Sequence, residues 1–148
     1  MITVRVQSGR FDLAHESALL TRSRTDVGAL ATFIGLVRGS GDTDALTLEH
    51  YPAMTEKALT EIAAAAEARF PLLGLTLIHR HGRLIPGDPI VMVAVAAAHR
   101  APAFEACEFL MDYLKTRAPF WKKEEVAGSA RWVETRAEDD AQTARWKE

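Results

Sequence analysis

Cysteine occurs once in this chain, at Cys107, so no internal disulfide can form and no cysteine-based zinc site can be assembled. No apolar run reaches the roughly 18 residues that mark a membrane-spanning helix. The N-terminal "MITVRVQSGR" alternates instead of offering the apolar centre of a signal peptide, so the cytoplasm is the expected compartment. Charge of one sign is missing too. The formal net charge is −2, which gives nucleic acid or a membrane surface no attraction at the level of the whole chain. Any basic feature must be local. "GLVRGSGD" is glycine-rich, but the Walker and GxGxxG patterns are absent, so it reads as a loop tip, with Arg38 at the end of the preceding strand. Repeats, linkers and low-complexity segments are also absent.

What is present is ordinary globular material. Hydrophobic residues make up 48% and charged residues 26% of 148, a size and balance that predict one domain, 1–148, with one core. "ITVRVQS" alternates as a half-buried strand, and Asp12 is placed to cap a helix over "LAHESALLTR". "GALATFIGLVR" reads as a buried strand joined to the alternating "ALTLEHY" by a short Gly/Asp loop, the pattern of a hairpin. Leu59, Ile62, Ala63, Ala66 and Phe70 recur at helical spacing, and Pro71 stops that helix. Two strands flank the turn Pro86-Gly87-Asp88. Pro102 suits the first position of a second long helix, with Phe104, Cys107, Met111 and Leu114 on one stripe. Pro119 ends it by Ala118. "EEVAGSARWVE" has the form of a last hairpin, and the polar tail "AEDDAQTARWKE" is compatible with a helix. The fold class is α+β with mostly antiparallel strands.

The chemistry concentrates in "MDYLKTRAPFWKKEE". Lys115, Arg117, Lys122 and Lys123 fall within nine residues. Lys115 lies in the last helical turn, where the helix dipole favours a cation. A solvated helix end is the plain alternative. Against it, Pro119, Phe120 and Trp121 make the exit turn stiff and apolar, so Lys115 and Lys122 have a pocket wall to lie against. Clustered cations favour proton loss from one of them, and a neutral amine is a base or nucleophile. At the other end of the helix, His99 and Arg100 precede free backbone N–H groups, a combination suited to phosphate or to the mere end of a strand. His79 and His81 share a strand face, but no third metal ligand lies near them, and no metal is expected. Cys107, on the apolar stripe, reads as a core thiol.

"LTLEHYPAMTEKAL", "IHRHGRLIPGD", "AHRAPAFEA" and "MDYLKTRAPFWKKE" together closely resemble the large, catalytic subunits of molybdopterin synthase, from about Gly28 to Trp146. The resemblance implies an α/β hammerhead with an additional antiparallel sheet. It implies conversion of cyclic pyranopterin monophosphate (precursor Z) to molybdopterin by installation of a dithiolene. The sulfur would come from the C-terminal Gly-Gly thiocarboxylate of a small ubiquitin-like partner. It also implies a homodimer within a heterotetramer, and no cofactor. On this chain Lys115 matches the reactive lysine and Lys122 its companion. Arg38, His99 and Arg100 match substrate-binding positions, flanked by Leu36, Val37, Lys123 and Glu124. Arg136 matches a position that holds the partner's tail or the substrate. The loop "GSGDTD" is shorter than the family pattern. Two other classes compete: a dimeric, non-catalytic scaffold holding a pterin or nucleotide, and an RNA-binding domain, which the acidic net charge disfavours.

Overall fold

The computed structural model describes residues 1–39, 43–133 and 137–147. Among the described residues there are two four-stranded sheets, four α-helices and one 3₁₀ turn. The first sheet has β1 (Ile2–Gln7) parallel to β4 (Gly74–Arg80), then β6 (Pro89–Ala97) and β2 (Ala29–Leu36), both antiparallel to their neighbours. The second is wholly antiparallel, in the order β5 (Gly82–Leu84), β3 (Thr43–His50), β7 (Phe120–Val126) and β8 (Ser129–Val133). The α+β class is thus present, with one parallel pair.

The continuous apolar run of β6 follows from its position. It is a central strand covered on both faces, so it has no polar side. Val91, Val93 and Val95 point to the core shared with α2 (Pro52–Arg69) and α3 (Arg100–Arg117). Met92, Ala94 and Ala96 point the other way, to Leu20 of α1 (Leu13–Thr21). Asp12 caps α1 as expected, its carboxylate accepting from the His15 N–H at 3.1 Å. In α2 the apolar spacing is the buried face, with Leu59, Ala63 and Ala66 fully covered.

Four expectations need correction. First, β2 and β3 do not form a hairpin. β2 pairs with β6 in the first sheet, and β3 with β5 and β7 in the second. A short Gly/Asp loop permits a hairpin but does not require one. Here the chain beyond β2 is held elsewhere: Val37 N–H donates to Asp88 O at 2.8 Å, and Gly87 N–H donates to Val37 O at 2.7 Å. The turn itself is as read, with Gly87 at φ 93°, a conformation that favours glycine, and Asp88 N–H closing onto Ile85 O at 3.0 Å. Second, β2 is an edge strand rather than a buried one, leaving Phe33 40% and Leu36 57% exposed. Third, α3 begins at Arg100, so Pro102 is its third residue. Its buried stripe is Ala103, Ala106, Cys107, Leu110 and Leu114, while Phe104, one residue or about 100° round from Ala103, is 66% exposed. Fourth, "LTLIHRHGRLIPGDPIVMV" contains a third short strand, β5, where only two strands are read from the pattern.

The polar tail is helical as α4 (Ala137–Ala144), followed by a 3₁₀ turn at Arg145–Lys147. It is tied to α3 by Asp112, whose carboxylate accepts from Trp146 Nε1 at 2.5 Å and Arg145 at 3.0 Å. The Thr143 hydroxyl donates to the Asp112 carbonyl at 2.9 Å and meets the Thr116 hydroxyl at 3.0 Å. Leu110→Ala should therefore cost about 2–5 kcal/mol through a core cavity, whereas Phe104→Ala should stay within about 0.5 kcal/mol for the isolated subunit. Urea unfolding midpoints at constant slope check both.

Candidate active site

A cleft of about 500 Å³ opens between the ends of the two sheets. Several segments wall it. Leu36, Val37 and Arg38 come from the end of β2, and His79 from the end of β4. Lys115 comes from the last turn of α3, and Phe120, Lys122 and Glu124 from β7. Local chemistry explains the convergence. α3 ends at Arg117, with Ala118 already extended, because Pro119 disfavours helical geometry in the residue before it. The chain then reverses into β7, so the lysine of the helix end and the lysine of the strand line one cavity.

Strand alternation divides the basic cluster. Phe120, Lys122 and Glu124 line the cleft, while the residues between them face away. Lys123 pairs with Glu49 at 3.6 Å and lies over the Trp132 ring at 4.6 Å. Glu125 pairs with Arg83 at 3.1 Å. Lys123 is therefore not brought to the cleft of its own chain. Nor are His99 and Arg100. Both are exposed at the N-terminus of α3, Arg100 15 residues before Lys115 and His99 one further, a separation of roughly 22 Å along a helix. Arg136 lies outside the described residues.

Three cations, Arg38, Lys115 and Lys122, thus share the cavity with an anion. Glu124 accepts from the Thr43 hydroxyl and pairs with Arg131 at 3.2 Å. These hydrogen bonds, led by that of Thr43, hold its carboxyl below the usual glutamate range. Asp139 of α4 reaches the same cavity. Cys107 does not contribute: its thiol is buried, and desolvation, helped by Glu108, pushes its pKa up to about 11. A protonated thiol away from the cleft is no nucleophile.

His79 is the residue that sequence reading placed in the wrong company. His81 lies past the end of β4, and its ring packs on His50, with centroids 4.4 Å apart. His79 instead stacks on Phe120 at 3.9 Å and 19° between planes. Burial, with the nearby positive charges of Lys122, Lys115 and His50, pushes its pKa down to about 4, against a raising effect from its hydrogen bond to Arg80 O. Among the described residues no group of three or more His, Cys, Asp or Glu side chains is arranged to hold a metal. In the structure His79 is the half-buried polar side chain near the end of a strand whose other residues are buried, a distinction the sequence does not carry.

The fold and the cleft define an α+β protein with a cavity lined by two lysines and an arginine. Comparison with known proteins is specific. A family model described as MoaE protein matches residues 6–117. The molybdopterin synthase catalytic subunit of Ralstonia nicotianae is 55% identical over 150 residues, covering 99% of this chain and 85% of that protein. The solved molybdopterin biosynthesis MoaE protein of Burkholderia ambifaria superposes with a TM-score of 0.87 at 54% identity, covering 99% of each chain. Molybdopterin synthase from Staphylococcus aureus gives 0.78 at 28% identity, covering 87% of this chain and 95% of that one. The chain belongs to the MoaE protein family.

The depressed pKa of His79 has a consequence for stability. A histidine that titrates near 4 when folded and near its ordinary 6.5 when unfolded binds protons more readily in the unfolded chain. Its full contribution to stability is present above about pH 6.5 and is lost as pH falls towards 4, by up to about 3 kcal/mol. His50, lowered by burial and by His81, acts in the same direction. Chemical denaturation from pH 8 to 4 should show this decline, and His79→Phe should flatten much of it. An unchanged slope in that variant would assign the decline to other groups.

Proposed function

We propose that this chain is the catalytic subunit of a molybdopterin synthase. It converts cyclic pyranopterin monophosphate to molybdopterin with sulfur from the C-terminal thiocarboxylate of a small ubiquitin-like partner. The observation that carries the reading is the meeting of Arg38, Lys115 and Lys122 in one cleft, in a chain 55% identical to a protein of that name. The chemistry fits. Guanidinium and ammonium groups neutralise the substrate phosphate. The partner's thiocarboxylate sulfur bonds to a substrate carbon, a carbon–oxygen bond of the substrate breaks, and the two are left joined as a thioester. Water then cleaves the acyl carbon–sulfur bond, so the sulfur stays on the substrate and the partner leaves as a carboxylate. A second round supplies the second sulfur. Hydrolysis of the thioester needs a base and a donor to the developing oxyanion, and lysines serve either purpose. Because the partner delivers the sulfur, the inert Cys107 is no obstacle. Domain, compartment and assembly follow the same reading: residues 1–148 form one catalytic unit, working in the cytoplasm, where no helix of the described residues is long and apolar enough to cross a membrane.

A homodimer flanked by two small subunits accounts for two further features. His99 and Arg100 stand too far from Lys115 to serve the same cleft within one chain, but they can complete the cleft of a second copy. Phe104, one turn on from Arg100, and the exposed Phe33 and Leu36 offer apolar surface for such assembly.

Lys115→Ala should lower dithiolene formation by at least about a hundred-fold, the scale of a lost catalytic base, with fold and partner binding intact. Lys115→Arg keeps the charge but holds its proton, so it should fail like Ala if the lysine is a base or nucleophile. Lys122→Ala should act more on KM than on kcat. Turnover of precursor Z by the Lys115→Ala protein at close to the original rate would sink this assignment and favour a non-catalytic scaffold.

The shared site has its own check. Arg100→Ala and Lys115→Ala chains, each inactive alone, should regain activity when mixed and re-equilibrated, because some mixed dimers carry one intact cleft. A fully active monomer by light scattering would rule the shared site out.

A further inference from the structure

His79 belongs to the cleft by geometry, yet nothing in the proposed chemistry uses it. Its tautomer can be read from one contact. Nδ1 lies 2.8 Å from the backbone carbonyl of Arg80, and a carbonyl only accepts, so Nδ1 carries the hydrogen. Nε2 is then a bare lone pair. Among the described residues no side chain or backbone group hydrogen-bonds it, and no buried side-chain nitrogen or oxygen is left without a partner. Nε2 must therefore touch open space, and the open space that His79 lines is the cleft. The ring has little freedom to turn away, because it stacks on Phe120 at 3.9 Å. Burial and the two lysines keep it uncharged at neutral pH. To a cavity rich in donors His79 thus adds an oriented neutral acceptor.

The rest of the wall says what kind of ligand such an acceptor meets. Phe33, Leu36, Met111, Leu114 and Phe120 give the cleft an apolar lining. Arg38, Lys115 and Lys122 supply the charge. The combination suits a flat ring system with an anionic group at one end and an N–H or O–H donor elsewhere. We propose that His79 is a substrate-orienting residue, its Nε2 accepting a hydrogen bond from an N–H or O–H group of the heterocycle whose phosphate rests on the cleft cations. The inference rests on the function proposed above and adds the group that reads the ring rather than the phosphate. A simple phosphate, lacking the ring, gains nothing from His79. A ligand that presents an acceptor there instead of a donor meets a lone pair and is disfavoured.

Two variants and one spectrum test it. His79→Phe keeps a ring against Phe120 but removes the acceptor. His79→Gln gives up the ring and restores an amide oxygen. With the complete two-subunit enzyme, His79→Phe should weaken precursor Z binding and raise its KM about ten-fold, the weight of one hydrogen bond. kcat should change less, and the affinity for inorganic phosphate should be unchanged. His79→Gln should recover most of the loss, which a packing role alone would not produce. In the unsubstituted chain labelled with ¹⁵N-histidine, the Nε2 resonance of His79 should move on addition of precursor Z and stay in place on addition of inorganic phosphate. A folded His79→Phe enzyme that binds precursor Z normally overturns the inference, and so does an Nε2 resonance indifferent to the pterin. Failure of the unsubstituted complex to make any dithiolene would overturn the proposed function instead, and the spectrum would still decide the part played by His79.

Discussion

Burial of Leu110 and Leu114 against the first sheet is the constraint on which the cleft depends. α3 is held by that stripe along its length, so its last turn has a set height and rotation, and the stem of Lys115 leaves it in a set direction. Pro119 then forbids continuation, and the next residues become a strand of the second sheet. One packed helix end thereby determines where two lysines stand relative to one another. The third cation is placed by a separate device. The chain just before Arg38 is pinned by two backbone hydrogen bonds between Val37 and the turn ahead of β6. Neither device involves charge. The cations are assembled by apolar packing and backbone pairing, which do not weaken as salt screens their mutual repulsion or as a ligand neutralises it.

The electrostatic character of the cleft is correspondingly one-sided. Of its two carboxylates, Glu124 and Asp139, Glu124 is already engaged by Thr43 and Arg131, so its charge is directed partly away from the lysines. The imidazole is held neutral. Beside its cations the cavity offers a neutral acceptor where a hydrogen-bond donor is welcome. Charge alone would attract any small anion. The apolar wall and the neutral acceptor are the features by which a ring-bearing anion is distinguished from phosphate.

Much of this was legible in the residues. The cap at Asp12, the stripe of α2, the turn at Gly87, the end of α3 before Pro119 and the last hairpin are all local devices, written within a few positions of where they act. The pairing of β2 was not. Its loop allows a hairpin, and the partner that prevails, β6, lies more than fifty residues away, where tertiary packing decides. Phe104 was misplaced because helical spacing alone does not fix the centre of a stripe. One residue of rotation moves a side chain from core to surface. At the site, Lys115, Lys122 and Arg38 could be singled out from helix-end chemistry and from resemblance. The division between Lys122 and Lys123 needed only strand alternation once β7 was known to begin at Phe120. His79 was hidden by its neighbour: two histidines two apart suggest a pair, and only the bend of the chain after Arg80 shows that they part.

Asp112 sits one turn before Thr116 on α3, and the groups it gathers come from Thr143, Arg145 and Trp146. The helical turn that carries Lys115 is thus clamped by residues made well after it. During synthesis the helix can form and dock while its final turn still lacks that clamp. The wall of the cleft is finished only when the following segment has arrived and folded back. Until then the lysine has its chemistry but not its bearing, and a chain interrupted between the two would display the motif without the geometry that makes it useful.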